Sequence, residues 1–367
     1  MMKVAIILGT RPEIIRLSTI IKKCSRYFET FVIHTGQNYD PKLSEVFFKD
    51  LDIIEPTMYL NCDGTSLGDR LGKIISHSYD VLQSIKPDAV LILGDTNSAL
   101  AAISAKRLKI PIFHLEAGNR SFDINVPEEI NRKIVDHISD LNMTYSQISK
   151  QYLVREGILP DRVVVTGSPL TEVLANLQPK VLQSSILNDL NLTKDGYILL
   201  SVHREENVDQ PTKLIEIFTL IVQVHEHYKL PILCTLHPRT KDRLLKSKFS
   251  VPNCIQLHSP FGYLDYLKLQ MNSFIVISDS GTISEESNIL GFPAINLRSI
   301  HERPEAFEEI APTLSLGNIH HICMAIEFQK SHSSKRVMDY TKTDVSSKVV
   351  NTIMSYTHII NKYDWRK

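Results

Sequence analysis

The sequence predicts an α/β fold: two Rossmann-like, doubly wound domains with a cleft between them. Three observations carry this expectation. Short apolar, β-rich runs alternate with amphipathic stretches, the pattern of βαβ units around a parallel sheet. The alternation pauses over a polar interval at 178–195 and then restarts. The 367 residues suffice for two domains of ordinary size, each with its own core.

In the first half, strands are expected near Val4–Leu8, Phe31–Thr35, Ala89–Leu93, Ile112–Leu115, Asp140–Thr144 and Val163–Thr166. The clearest helices between them are Ser98–Leu108 and Pro127–Ile138. The second opens on a proline, whose missing N–H would be unsatisfied in a first turn anyway. The polar interval contains Ser184-Ser185 and Asn191-Leu192-Thr193-Lys194, so the first domain should end shortly before it. Beyond it, strands are expected at Tyr197–Val202, Ile232–Leu236, Cys254–Leu257, Phe274–Ile277 and Ala294–Leu297. No short-period repeat or low-complexity tract interrupts either half.

Composition narrows the function. Hydrophobic residues make up 43% and charged residues 22%, ordinary for a globular protein. The 41 basic residues balance the 41 acidic ones, so no global field recruits nucleic acid or an anionic membrane. Any anion site must be local. Met1-Met2-Lys3 runs straight into an apolar strand, without the longer apolar region and cleavage site of a signal peptide. No apolar run approaches the ~20 residues of a membrane helix. The five cysteines form no CxxC pair, so neither a disulfide framework nor a zinc site is suggested. A cytoplasmic enzyme with reduced, structural cysteines is the expectation.

Ligands of such sheets bind outside the carboxyl ends of the strands, so the residues just after each strand matter most. The first strand ends in Gly9-Thr10-Arg11-Pro12-Glu13, a tight turn into a helix without the GxGxxG pattern of a dinucleotide site. Arg11 at a helix N-terminus suits a phosphate; the plainer alternative is an arginine pairing Glu13 in a cap. Two later strands end in carboxylates, Asp95 and Glu116, and Pro127-Glu128-Glu129 opens a helix soon after. Carboxylates are costly to bury unpartnered, so several aimed at one crevice imply a metal or acid/base chemistry. The spacing matches no familiar ligand set, which disfavours metal. The plainer readings are a helix cap for Asp95 and favourable N-terminal charge for Glu128 and Glu129.

The second half supplies the opposite charge. Its strands end in His203-Arg204, in His237-Pro238-Arg239 and in Ser278-Asp279-Ser280-Gly281-Thr282. Ser280, Gly281 and Thr282 open a helix with backbone N–H groups that can approach a phosphate. Glu286, about one turn further in, could accept hydrogen bonds from ribose hydroxyls, and Arg298 and Arg303 follow the next strand. A capping turn with surface salt bridges is the alternative. One wall thus reads as acidic and the other as cationic, which suits a nucleotide diphosphate leaving group and a sugar facing acids.

With these residues in view, the chain resembles the non-hydrolysing UDP-N-acetylglucosamine 2-epimerase family. The matching segments are GTRPEIIRL, TGQNYD, GDTNSALAA, HLEAGNR, VPEEINRKIVDH, VTGSP, HREEN, SDSGTISEES and ERPEA, in family order along nearly the whole chain. The run EAGNRSFDINVPEEINRKIVDHISDLNMTYS is most similar to the branch acting on 6-deoxy sugars, the UDP-N-acetyl-L-fucosamine synthases. The resemblance implies a GT-B-like fold with domains at 1–170 and 171–349 and a C-terminal helix, 350–367, packing back on the first domain. It places catalytic roles on Asp95, Glu116, Glu128 and His203. It places UDP contacts on Arg11, Ser280, Gly281, Thr282, Glu286 and Arg303, and a uracil pocket near Phe261. Arg16, Arg204 and His237 join them as candidate substrate contacts.

Three departures stand out. Arg16 replaces the lysine typical of the glucosamine branch, keeping charge but not geometry. Ser121 stands where the fucosamine branch is expected to carry cysteine. Gln37-Asn38-Tyr39-Asp40 replaces the QHxEM-like segment associated with allosteric activation.

The reaction implied is elimination of UDP across C1–C2 to a glycal-type intermediate, followed by re-addition with a proton on the other face of C2. It calls for no metal and no nicotinamide. The expected product feeds surface polysaccharide, as capsule or O-antigen, and the expected assembly is a homodimer. Two other classes compete: a GT-B glycosyltransferase, which needs an acceptor groove and a single base, and a nucleotide-sugar-binding regulator without turnover.

Overall fold

The computed structural model describes residues 1–36, 48, 51–236, 240, 243–244, 251–298, 302–309, 313–314, 318–332 and 336–367. They form two compact units: Met1–Val173 with Thr341–Lys367, and Leu174–Tyr340.

The first unit is built on β1 (Lys3–Leu8), β2 (Glu29–His34), β3 (Met58–Tyr59), β4 (Ala89–Leu93), β5 (Ile112–Leu115), β6 (Leu141–Thr144) and β7 (Val163–Val165). Their order is β3-β2-β1-β4-β5-β6-β7, every pairing parallel. Strands buried on both faces read as continuous apolar runs, and β4 is an example: Ala89-Val90-Leu91-Ile92-Leu93 is buried throughout. The order reverses between β1 and β4, where Val4 pairs with Thr30 on one side and Ala89 on the other. That reversal is where doubly wound sheets hold ligands. The sequence does not announce β3, because two residues are too short to show a period.

The expected helix Ser98–Leu108 divides into a 3₁₀ turn, Asn97–Leu100, and an α-helix, Ala101–Arg107. Its small side chains, Ala99, Ala101, Ala102 and Ala105, pack in one core with Val90, Ile92 and Ile112. The helix Pro127–Ile138 has the bounds expected.

The second unit carries β8 (Ile198–Ser201), β9 (Ile232–Thr235), β10 (Ile255–His258), β11 (Ile275–Ser278), β12 (Ala294–Asn296) and β13 (Thr313–Leu314). The order β10-β9-β8-β11-β12-β13 repeats the logic of the first sheet, again all parallel. The two-residue β13 is a further strand that the sequence does not announce.

Boundaries differ from the sequence-based expectation. The units divide between Val173 and Leu174 rather than at 170/171, inside the continuous helix Pro169–Gln183. The division still falls shortly before the polar interval, as expected, and the interval itself folds with the second unit. Its apolar residues Ile186, Leu187, Leu190 and Leu192 pack on Tyr197, Leu199 and Phe292 of the second core. The returning segment begins at Thr341, not 350. Tyr340 still belongs to the second unit, where it is buried and donates its hydroxyl to Glu305 at 2.7 Å.

The last helix, Val345–Ile359, lies against the first, Arg11–Tyr27. Val345, Val349, Ile353 and Thr357 recur at helical spacing on its buried face. Ser346 N donates to Glu172 Oε2 at 2.9 Å, and Arg162 pairs with Asp364 at 2.9 Å. Among the described residues no helix is long and apolar enough to cross a membrane. Since Ile353 is fully buried, Ile353→Ala should destabilise this unit by about 2–5 kcal/mol. Denaturant unfolding should show a lower midpoint, and an unchanged midpoint would contradict the packing.

Candidate active site

The turn after β1 is organised by Glu13. Its Oε2 accepts from Gly9 N (2.9 Å), Thr10 N (2.7 Å) and the Thr10 hydroxyl (2.8 Å), closing the helix start. Its Oε1 accepts from the Thr96 hydroxyl at 2.9 Å, tying the turn after β1 to the turn after β4. The cap is thus made with Thr10 and Gly9 backbone, not with the Arg11 guanidinium weighed from the sequence. Burial pushes the Glu13 carboxyl up to about 7 against the pull of these donors.

Asp95 follows β4. It does not cap the next helix, since Thr96 Oγ1 takes Ser98 N at 3.2 Å. The Asp95 carboxylate instead accepts from Arg132 Nε at 2.7 Å, and its backbone carbonyl accepts from Asn131 Nδ2 at 2.9 Å. Glu116 follows β5 in the left-handed region, φ +68°. Its Oε2 accepts from the Tyr145 hydroxyl at 3.0 Å and lies 3.9 Å from Arg16 Nε. The Arg16 guanidinium stands 5.7 Å from the centroid of the Tyr145 ring. A Cβ on Gly94, the residue before Asp95, would come within 3.8 Å of Glu116 Oε2. The structure therefore brings the two strand ends together.

The helix Pro127–Ile138 contributes from the side. Glu128 is part-exposed in its first turn, one turn before Arg132 and so on the same face. Its neighbour Glu129 is buried. Glu129 Oε2 accepts from Ser121 N (2.9 Å), the Ser121 hydroxyl (3.0 Å) and Arg132 Nη1 (3.0 Å). Arg132 thus bridges Asp95 and Glu129. Asp95 and Glu116, both part-exposed, each lie beside an arginine, Arg132 and Arg16 respectively. Sequence reasoning missed Arg132 and Tyr145 and weighed Glu129 only as part of the acidic helix start. The E-x-x-x-R spacing from Glu128 to Arg132 and the position of Tyr145 straight after β6 were the available signals.

In the second unit Asp279, after β11, is the hub. Fully buried, it accepts from His203 N (3.1 Å), Arg204 N (3.0 Å) and Asn207 Nδ2 (3.0 Å). His203 Nδ1 lies 3.1 Å from Asp279 Oδ1, which leaves Nε2 as the ring nitrogen turned elsewhere. Burial would raise the Asp279 carboxyl, but hydrogen bonds and charge from His203, Asn207 and Arg204 hold it below the usual range. Ser280, Gly281 and Thr282 lead into the helix Ile283–Leu290, with Thr282 N donating to Ser280 Oγ at 3.3 Å. A Cβ on Gly281 would lie 2.9 Å from Arg204 Nη2 and 3.8 Å from Arg298 Nη1, so two guanidiniums crowd this turn. Buried Glu286 accepts from Gln270 Nε2 at 2.9 Å, and Arg303 pairs with buried Glu285 at 3.0 Å. Phe261 packs its ring 5.3 Å from that of His258. His237 and the segment 37–40 lie outside the described residues. Among the described residues, no three His, Cys, Asp or Glu side chains are placed to hold a metal ion.

Two Rossmann-like sheets with carboxylates after the strands of one and a small-residue turn among arginines in the other define a GT-B-like α/β enzyme. The profile of the UDP-N-acetylglucosamine 2-epimerase family matches residues 22–354, and the chain belongs to that family. It is an isomerase, a UDP-sugar 2-epimerase. The UDP-N-acetylglucosamine 2-epimerase of Methanocaldococcus jannaschii is 40% identical over 335 residues, 89% of this chain and 92% of that one. The structure of the Rickettsia bellii UDP-N-acetylglucosamine 2-epimerase superposes with a TM-score of 0.92 at 40% identity, covering 100% of both chains. The crystal structure of the M. jannaschii enzyme in complex with UDP-GlcNAc and UDP gives a TM-score of 0.88 at 36% identity, covering 97% of this chain and 100% of that one.

Glu13 yields a pH test. Its folded pKa lies above the unfolded value of 4.5, so the fold keeps a proton there that the unfolded chain has released. Its contribution to stability therefore falls as pH rises from 4.5 towards 7. Glu13→Gln does not titrate. The stability of wild type relative to this variant should decline across that window and level off above it; a difference independent of pH would contradict the assignment.

Proposed function

We propose that the enzyme converts UDP-2-acetamido-2,6-dideoxy-L-talose to UDP-N-acetyl-L-fucosamine, a precursor for surface polysaccharide such as capsule or O-antigen. The observation that carries the chemistry is a carboxylate after each of two paired strands, Asp95 beside Arg132 and Glu116 beside Arg16 and Tyr145. The 6-deoxy substrate is supported by the run from Glu116 to Ser146, which resembles the fucosamine branch apart from Ser121 and supplies Glu129, Arg132 and Tyr145. A second reading, interconversion of UDP-N-acetylglucosamine and UDP-N-acetylmannosamine, is favoured by the relative solved with UDP-GlcNAc and UDP.

C2 bears an acetamido group and no adjacent carbonyl, so its proton is not acidic in the ground state. The difficulty is removed if the C1–O bond to the diphosphate breaks as the C2 proton leaves. The electron pair of that C1–O bond departs with UDP, and the C2–H pair becomes the C1–C2 double bond. Return of the diphosphate oxygen to C1, with a proton delivered to the opposite face of C2, completes the inversion. No electrons are gained or lost overall.

In this reading Asp95, Glu116 and Glu128 divide proton removal, proton return and stabilisation of positive charge at C1. The Ser280–Thr282 turn with Arg11, Arg204 and Arg303 holds the departing diphosphate. His203, oriented by Asp279, presents Nε2 to the phosphates. Glu286 and Phe261 address the ribose and base.

Two outcomes are expected. Asp95→Asn should lose about 10²–10⁴ in turnover while titration calorimetry shows UDP binding retained; wild-type-like turnover would remove Asp95 from the chemistry. Gly281→Ala pushes a Cβ against Arg204, so UDP affinity should fall about tenfold or more, and unchanged affinity would place the diphosphate elsewhere. The substrate is decided by proton NMR in D2O. Deuterium should enter C2, with a new epimer, from the 6-deoxy-talose substrate. Turnover of UDP-N-acetylglucosamine alone would transfer the enzyme to the second reading, and exchange from neither would contradict both.

A further inference from the structure

Beneath these assignments lies a buried charged group that the elimination chemistry does not use. His114 is fully buried in β5, two residues before Glu116. Its Nε2 lies 2.8 Å from the carbonyl oxygen of Gly94, the residue before Asp95. Its Nδ1 lies 2.9 Å from Asp136 Oδ1. Nε2 donates to the Gly94 carbonyl, and Nδ1 meets Asp136 at ion-pair distance without hydrogen-bond alignment. A lone pair on Nδ1 would face a carboxylate oxygen, so a proton on both nitrogens is favoured.

Asp136, also fully buried, accepts from Gly118 N (3.2 Å) and Arg120 Nη1 (2.6 Å). Arg120 in turn pairs with Glu156 through Nη2 at 2.6 Å. The order His114, Asp136, Arg120, Glu156 alternates positive and negative charge. Each buried member has a partner, as desolvated charges require.

The network ends on the two turns that aim the carboxylates. Gly94, Glu116 and Gly118 all have positive φ, +69°, +68° and +78°. For Glu116 that is a backbone state that persists only where its surroundings hold it. His114 holds the Gly94 carbonyl, and Asp136 holds Gly118 N on the far side of Glu116. We propose that His114 is a positioning residue, kept as an imidazolium, that fixes the Gly94–Asp95 and Glu116–Gly118 turns relative to each other.

Electrostatics agree. Burial would lower the His114 pKa, but the close approach and charge of Asp136, the Gly94 carbonyl and the charge of Asp95 raise it above the ordinary value. Arg120, the facing cation, is itself drawn to Asp136 and Glu156. The inference rests on the proposed roles of Asp95 and Glu116, whereas the charge state of His114 does not.

The test has two arms. In protein carrying ¹⁵N-histidine, with the His114 signals identified by their loss in His114→Gln, both ring nitrogens should remain protonated well above the ordinary histidine pKa of about 6.5. One unprotonated ring nitrogen overturns the proposal without touching the epimerase reading. His114→Phe, shown folded by circular dichroism, should lose about 10²-fold in kcat through misplacement of the carboxylates, with KM and UDP affinity little changed. His114→Gln, which can still donate to Gly94, should recover part of that loss. Wild-type kcat in the folded phenylalanine variant overturns the positioning role, and if that variant does not fold, kcat of the glutamine variant decides. Absence of turnover in the wild type would instead count against the proposed function, leaving the nitrogen measurement standing.

Discussion

A carboxylate removed from water has to be answered by a cation or by donors, and the first unit is organised around that requirement. The pair of Asp95 with Arg132 at 2.7 Å is its centre. Breaking such a pair from one side typically costs several kcal/mol, because the other charge is left stranded. Arg132 reaches Asp95 only because the helix Pro127–Ile138 is docked beside the 3₁₀ turn Asn97–Leu100, with Asn131 holding the Asp95 carbonyl. The helix in turn is pinned through Glu129 to Ser121. The order of β4 and β5 in the sheet then puts Glu116 next to this pair, and Tyr145, after β6, closes the cluster. Consecutive strands of one parallel sheet deliver consecutive polar groups to one edge.

The second unit meets the same requirement with a different chemistry. Asp279 is answered mainly by backbone N–H groups and by His203 and Asn207, not by arginine. A carboxylate satisfied in this way leaves Arg204 and Arg298 at the Gly281 turn. A side chain at Gly281 would meet the guanidinium of Arg204, which would have to shift from its place at the turn. Two sheets of the same winding therefore meet the requirement differently. In one, Asp95 and Glu116 stand beside arginines. In the other, Asp279 is held by N–H groups while Arg298 pairs with Glu302 beside the Gly281 turn.

Much of this was legible in the residues. β4 shows as a five-residue apolar run and β5 as a short apolar run interrupted by His114, and Pro127 and Ile138 bound a helix visible in its periodicity. The residues after the strands point to Asp95, Glu116, His203 and the Ser280–Thr282 turn, because strand ends are where doubly wound sheets carry function. What stayed hidden depends on tertiary contact. Arg132 and Tyr145 look like a surface helix residue and a core aromatic until the fold sets them beside Asp95 and Glu116. The polar interval at 178–195 correctly marks a domain end shortly before it. It does not show that the chain divides inside an unbroken helix, or that Ile186 and Leu190 within the interval pack into a core. The strands β3 and β13 are too short for any period to reveal.

The central claim is that C2 inverts while the C1–O bond to the diphosphate is open. An ¹⁸O label placed in the oxygen bridging C1 and the β-phosphorus tests it directly. If the bond opens and the freed diphosphate turns before returning, the label should scramble into non-bridging positions of the recovered substrate during turnover, read by ³¹P NMR. Epimerisation with the label held wholly in the bridge, and with no free UDP or glycal in acid-quenched reaction mixtures, would contradict the account, because no open C1–O bond would then be detected by either route.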